Sequence, residues 1–184
     1  PMNFICLPSE ETAEPTIAID GKTFCTADST AYLVHVAPAG GQAVSEAGGV
    51  VTQADGSFAF IPAQAAMGQA EPQTVTLTYT VNGQSASTQV QLFHPPVADF
   101  SFAPTPTAPT AVAFTNSSKF VTAFKWDFGD GNTSTEAQPL HDYKTGGTFV
   151  VTLTAVNEPC PPSTATKTIT LETQTGEMPC LDLG

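Results

Sequence analysis

The side chains best able to do chemistry in this chain are Asp127 and Asp130, the cysteines Cys6, Cys25, Cys160 and Cys180, and the histidines His35, His94 and His141. Asp127 and Asp130 flank Phe128-Gly129, a spacing that admits a general acid and base pair or two oxygen ligands of a calcium ion. A calcium ion needs several converging oxygens, and only Asp99, Asp142 and backbone carbonyls are obvious helpers. Aspartate beside glycine is also what a tight β-turn selects, because Asp accepts from backbone amides two residues on and Gly takes positive φ. The turn is therefore the leading reading of both carboxylates, with calcium kept as the alternative.

The histidines are scattered over separate segments and form no His-Glu-x-x-His or comparable cluster. No Gly-x-Ser-x-Gly elbow is present for a serine hydrolase, and no cysteine has a plausible histidine partner for a thiol protease. No glycine-rich phosphate loop opens a helix. Neither an enzyme nor a cofactor is expected. The cysteines lack CxxC pairs and histidines at metal-ligand spacing, which argues against structural zinc and for disulfides. Disulfides imply an oxidising compartment, hence an extracellular or cell-surface location.

The elements that must carry these residues are strands. Helical periodicity is interrupted by Gly or Pro almost everywhere, whereas β-branched and aromatic residues alternate in short runs between turn signals. In the first half the runs are Thr16 to Ile19, Ala31 to Val36, Ser57 to Ile61, Thr74 to Val81 and Ser85 to Phe93. The last two flank Asn82-Gly83, the strongest short signal for a two-residue hairpin. His94-Pro95-Pro96 ends this module, since consecutive prolines cannot donate to a ladder. The second half continues with Ala98 to Phe102, Ala111 to Thr115, Ala123 to Phe128, Thr148 to Val156 and Thr164 to Leu171, with Pro104 to Pro109 read as a crossing between the first two. The expected fold is all-β, two tandem Ig-like β-sandwich domains at 1–95 and 96–172, with 173–184 a linker or the start of a further module. About 90 residues each is a common domain size.

Composition narrows the partners. Hydrophobic residues make up 41% of the chain, charged residues only 12%, and the net charge is −12. The five cations are all lysines, Lys22, Lys119, Lys125, Lys144 and Lys167, and they are dispersed. A phosphate backbone would be repelled, so nucleic acid is excluded as a partner. No apolar run approaches the roughly 18 to 20 residues of a membrane-spanning helix, and membrane insertion is not expected. The start at Pro1, without an initiator Met, reads as a piece of a larger protein.

Trp126-Asp127-Phe128-Gly129-Asp130-Gly131 resembles the WDFGDG signature of PKD (polycystic kidney disease) domains. Its surroundings match too: Val97 to Ser101 is similar to the opening strand of that family and Val112 to Ser118 to the second. His141-Asp142-Tyr143 with Gly147 to Leu153 is similar to a later hairpin, and Thr164 to Leu171 to the closing strand. The resemblance implies a sandwich in which Trp126 and Phe128 enter the core, Gly129 and Gly131 make the turn, and Tyr143 lies near a sheet corner. The first half is similar to Ig-like repeats of large Bacteroidetes surface proteins, through Phe24-Cys25, Pro38-Ala39-Gly40-Gly41, Phe60-Ile61-Pro62, Thr74 to Thr80 and Asn82-Gly83. Gln84 stands where that pattern has a second cysteine. The resemblance thus leaves Cys25 without its usual partner and makes Cys6 the substitute. A Cys160–Cys180 bridge would tie down the tail for about 3 kcal/mol of chain entropy. Alternatively Cys180-Leu181, which repeats Cys6-Leu7, opens another copy of the unit. Asp28-Ser29-Thr30 resembles an O-glycosylation motif of the same group.

These resemblances imply a non-catalytic stalk, spacer or adhesion segment of a large bacterial surface protein. Its expected partners are neighbouring modules of the same polypeptide, other copies of itself, and surface carbohydrate or protein ligands. The rival expectations are an accessory module of a secreted hydrolase and a subunit of a self-assembling filament.

Overall fold

A computed structural model describes residues 13–68, 71–106 and 108–172. Every regular element among them is a strand, and the chain divides into a unit that runs to Leu92 and a unit that begins at Phe93.

The strands of the first unit are β1 (Thr16–Ile19), β2 (Thr23–Cys25), β3 (Tyr32–Ala37), β4 (Gln42–Ser45), β5 (Gly48–Thr52), β6 (Phe58–Ala65), β7 (Gln73–Val81) and β8 (Gln84–Phe93). They form two antiparallel sheets, ordered β1-β3-β6-β5 and β2-β8-β7-β4. β7 and β8 pair over their full length up to Val81↔Gln84, and Asn82 and Gly83 take φ of 51° and 78°. Two positive φ angles in succession define a type I′ turn, whose twist matches that of the strands it joins. Inward residues alternate along β7, where Val75, Leu77, Tyr79 and Val81 are buried in one core with Phe24 of β2 and with Phe58 and Phe60 of β6 in the other sheet. Each such side chain contributes about 1.5–3 kcal/mol on burial. The Pro38 to Gly41 turn is held by Tyr79, whose hydroxyl donates to the Pro38 carbonyl at 2.5 Å and accepts from the Gly41 amide at 2.9 Å.

The second unit contains β9 (Phe100–Thr105), β10 (Ala108–Asn116), β11 (Ala123–Asp127), β12 (Thr133–Ser134), β13 (Leu140–Asp142), β14 (Gly147–Asn157) and β15 (Cys160–Leu171). Its sheets are ordered β13-β10-β9 and β12-β11-β14-β15. Two readings of the sequence need correction here. The Pro104 to Pro109 stretch is no crossing, because β9 and β10 are hydrogen-bonded neighbours in one sheet, with a register shift between Ala108 and Val112. Pro104 is tolerated because β9 is an edge strand, where a missing N–H breaks no inner ladder. Nor do His141-Asp142 and Gly147 to Leu153 form a hairpin: β13 pairs with β10, and β14 with β11 and β15, in the other sheet. The chain therefore changes sheets between Asp142 and Gly147.

The His94-Pro95-Pro96 run belongs to the second unit. Asn157 Nδ2 donates to the His94 carbonyl at 2.9 Å, the His94 ring stacks on Phe120 at 4.2 Å, and Val97 bridges Lys119.

Candidate functional site

The motif residues gather at one corner of the second unit. Trp126, on β11, is fully buried, and Phe128, just beyond the strand, is nearly so. Alternation on a strand sends both rings to the same side. Trp126 meets Phe100 edge-on at 5.1 Å and Phe114 at 5.4 Å, and its indole N–H donates to the Glu136 carbonyl at 2.9 Å. The polar end of a buried indole is thereby satisfied.

The turn after Phe128 is closed by its own carboxylates. Asp127 Oδ1 accepts from the Gly129 amide at 2.9 Å and Asp130 Oδ1 from the Asn132 amide at 3.0 Å. Gly129 has φ +78°, and a Cβ built there would lie 2.4 Å from the Val150 carbonyl oxygen on β14. Gly131 has φ +92° with open space around it.

His141 is the residue that sequence reasoning passed over. Its Nε2 lies 2.7 Å from Asp130 Oδ2, and the two side chains are only 13% and 14% exposed. The imidazole stacks on Phe128 at 4.1 Å and meets Tyr143 edge-on at 4.5 Å. Tyr143 is buried and donates its hydroxyl to the Phe128 carbonyl at 3.2 Å. Because β13 and β11 lie in different sheets, the Asp130–His141 pair joins the two sheets at this corner. The ten residues between Asp130 and His141 carry no periodic signal for this contact; a polar partner was foreseeable only from the turn's second carboxylate.

Electrostatics follow from these contacts. Burial alone would raise the Asp130 carboxyl, but the bonds from His141 and from the Asn132 side chain and amide outweigh it and hold the group below its ordinary value. Burial, then the Asp130 charge, pushes the Tyr143 hydroxyl up to about 12. A carboxylate whose folded pKa is depressed stabilises the fold above its unfolded pKa of about 3.9, and that stability is lost as pH falls through the folded value. Asp130→Asn is therefore expected to lower the stability of this unit at pH 7 by about 1.5–3 kcal/mol. The difference from the parent should shrink to nothing as the pH is taken below the depressed Asp130 pKa. Urea unfolding of both proteins between pH 7 and pH 2 checks this; a gap that persists undiminished in acid would contradict it.

The remaining chemistry-bearing residues do not converge on this corner's carboxylates. Asp99 Oδ1 accepts from Lys167 Nζ at 3.1 Å, while Asp142 accepts from Thr110 Oγ1 at 2.8 Å and from Lys144. Lys144 beside it, together with its own amide, holds the Asp142 carboxyl down to about 2. Among the described residues, no group of three or more His, Cys, Asp or Glu side chains is arranged to hold a metal ion. His35 stands 3.7 Å from Asp20 on the surface of the first unit. Cys25 and Cys160 are both buried and both disulfide-bonded, whereas Cys6 and Cys180 lie outside the described residues, as does the expected linker 173–184. The Cys160 sulfur lies 3.4 Å from the Phe93 carbonyl. A disulfide sulfur carries no proton, so this is a packing contact. Asp28 caps its own loop, accepting from the Thr30 amide at 2.8 Å and the Tyr32 hydroxyl at 2.6 Å, with Ser29 and Thr30 exposed.

An all-β chain of paired antiparallel sheets around aromatic cores is an Ig-like β-sandwich protein. The I67–I69 fragment of titin has the same kind of fold, at TM-score 0.52 and 10% identity over 86% of this chain and 65% of that one. The second unit is more closely defined: a family profile for the PKD domain matches residues 93–172, and these residues belong to the PKD domain family. A stretch of 53 residues is 40% identical to the pre-pro-metalloprotease PrtV of Vibrio cholerae, covering 29% of this chain and 6% of the protease. The solved PKD1 domain of that protease is 34% identical, with TM-score 0.39, over 43% of this chain and 99% of that domain. The chain thus spans about 6% of the length of the curated relative it matches.

Proposed function

We propose that the chain is a non-catalytic extracellular spacer, part of a large secreted or surface protein of bacterial origin, in which two β-sandwiches hold other domains apart. The observation that carries this is the use of the motif's polar groups. Asp127 and Asp130 are taken up by the turn and by His141, in a unit whose family occurs in secreted bacterial proteins such as PrtV. Long antiparallel ladders such as β7–β8 and β14–β15 suit a load-bearing role, and loops presented by a rigid scaffold can add weak adhesion. The first unit we assign to the Ig-like repeats of Bacteroidetes surface proteins. Its Tyr79-locked turn and its type I′ hairpin are what the matching residue strings would build.

A second reading is favoured by one observation: the matched relative is a protease precursor, so the tandem could serve as an accessory module of a secreted hydrolase. Non-reducing peptide mapping with light scattering tests the first reading. A monomer with Cys6–Cys25 and Cys160–Cys180 bridges is the expected result. Disulfides between chains, or a large assembly, would sink the spacer and make the chain a filament subunit.

A further inference from the structure

We propose that Asn82-Gly83, at the tip of the β7–β8 hairpin, is a self-modification site, where the folded protein converts its own asparagine through a cyclic imide to aspartate and isoaspartate. The step is an acyl transfer within the chain. The backbone nitrogen of Gly83 gives up its proton and bonds to Cγ of Asn82, while the side-chain nitrogen takes up a proton and leaves as ammonia. Water then opens the imide. Addition at Cγ returns the main chain as it was, with an aspartate side chain; addition at the Asn82 main-chain carbonyl leaves Gly83 bonded through Cγ, which is isoaspartate.

The hairpin selects this asparagine over the others. Asn82 and Gly83 are both exposed, and a Cβ built at Gly83 would meet nothing within 4 Å, so neither attack nor the entry of water is obstructed. The ladder closes at Val81↔Gln84, and a two-residue loop makes no use of the Gly83 amide in that closure. The nucleophile is therefore not held in a strand. Among the described residues the other asparagines precede Ser117, Thr133 and Glu158, whose side chains crowd the attacking nitrogen. Their amides are also engaged: Asn116 Oδ1 accepts from the Ser118 amide at 2.9 Å, and Asn132 Nδ2 donates to Asp130 at 3.0 Å. Asn157 is fully buried, with Nδ2 donating to the His94 carbonyl at 2.9 Å. The Asp-Gly pairs are poorer targets, because an aspartate is an anion at neutral pH and repels an electron-rich nitrogen.

The two products act differently on the turn. Aspartate tolerates the left-handed φ of 51° found at position 82 and keeps the two-residue loop. Isoaspartate inserts a side-chain carbon into the main chain between two residues whose positive φ angles define the type I′ turn. Val81 and Gln84 then no longer close as a pair, and the adjoining Thr80 and Ser85 hydroxyls, 2.8 Å apart, are drawn out of reach. Either product adds a negative charge at the tip, but only isoaspartate loosens the hairpin.

Peptide mapping by mass spectrometry over a time course, on the full folded chain at mildly alkaline pH and on the same chain unfolded in urea, tests this. The expected result is that Asn82 converts first in the folded chain, ahead of Asn116, Asn132 and Asn157, and that labelling by an isoaspartyl methyltransferase appears on the same peptide. Asn82→Gln, whose longer side chain closes an imide far less readily, is expected to lose both signals. An Asn82 that stays intact in the folded chain while it converts in urea overturns the proposal, since the turn would then protect it. Conversion of Asn116, Asn132 or Asn157 as fast as Asn82 in the folded chain overturns it too, because the hairpin would then select nothing.

Discussion

Replacing Trp126 by alanine is expected to remove about 3–5 kcal/mol from the stability of the PKD unit, a large share of the roughly 5–15 kcal/mol that holds a domain together. The ring is fully buried and meets Phe100, Phe114 and Phe128, so truncation leaves a cavity among rigid rings that have little room to close over it. It also strands the Glu136 carbonyl that the indole N–H satisfies. Calorimetry of the intact chain checks this, since the transition of the second unit should fall while that of the first stays in place. A loss under about 1 kcal/mol would show that the corner does not depend on this ring.

Gly129→Ala is the second large effect, and its size comes from backbone, not from side chains. The new methyl would sit 2.4 Å from the Val150 carbonyl oxygen, 2.9 Å from its nitrogen and 3.0 Å from its carbonyl carbon. None of these can rotate away, because they are backbone atoms of β14, held in its ladder with β15 at Val150↔Thr168. A positive φ adds about 1–2 kcal/mol for an L-residue. The expected cost is about 3 kcal/mol or more, at the upper end of single substitutions. Gly131→Ala is the internal control: it carries the same kind of φ with nothing within 4 Å, and should cost only the conformational part, about 1 kcal/mol. Trp126 is the only tryptophan in the chain, so its fluorescence during urea unfolding reports the PKD unit alone for both variants. Equal losses at the two glycines would remove Val150 from the explanation.

What could be read from the sequence was whatever a residue's own neighbours in the chain decide. Asn82-Gly83 had to turn because positive φ is cheap for that pair, and the alternation through Trp126 and Phe128 required a strand with one buried face. Thr23–Cys25, Gln42–Ser45, Gly48–Thr52 and Thr133–Ser134 were not legible as strands. They are too short to show periodicity, and β5 starts with a Gly-Gly pair that reads as a turn; each is a strand because a longer partner offers it a ladder. Proline misled in the same way between Pro104 and Pro109, since breaking power depends on whether the strand lies inside a sheet or at its edge. The candidate site divided along this line. The turn aspartates were visible as turn formers, but their clamp to His141 depends on β13 lying in the opposite sheet, a relation with no local trace.

The tip Gly129-Asp130-Gly131-Asn132 has the small, polar composition at which proteases ordinarily nick a folded chain. Cleavage requires such a segment to straighten into the enzyme's cleft, and this one is pressed onto β14 at Val150 and laced by Asp127, Asp130 and His141. It can straighten only by giving up the corner of the core beneath it, so its opening free energy approaches that of the whole unit. The folded unit thereby keeps its most cleavable-looking loop intact, and a cut found there would record the unfolding of the domain.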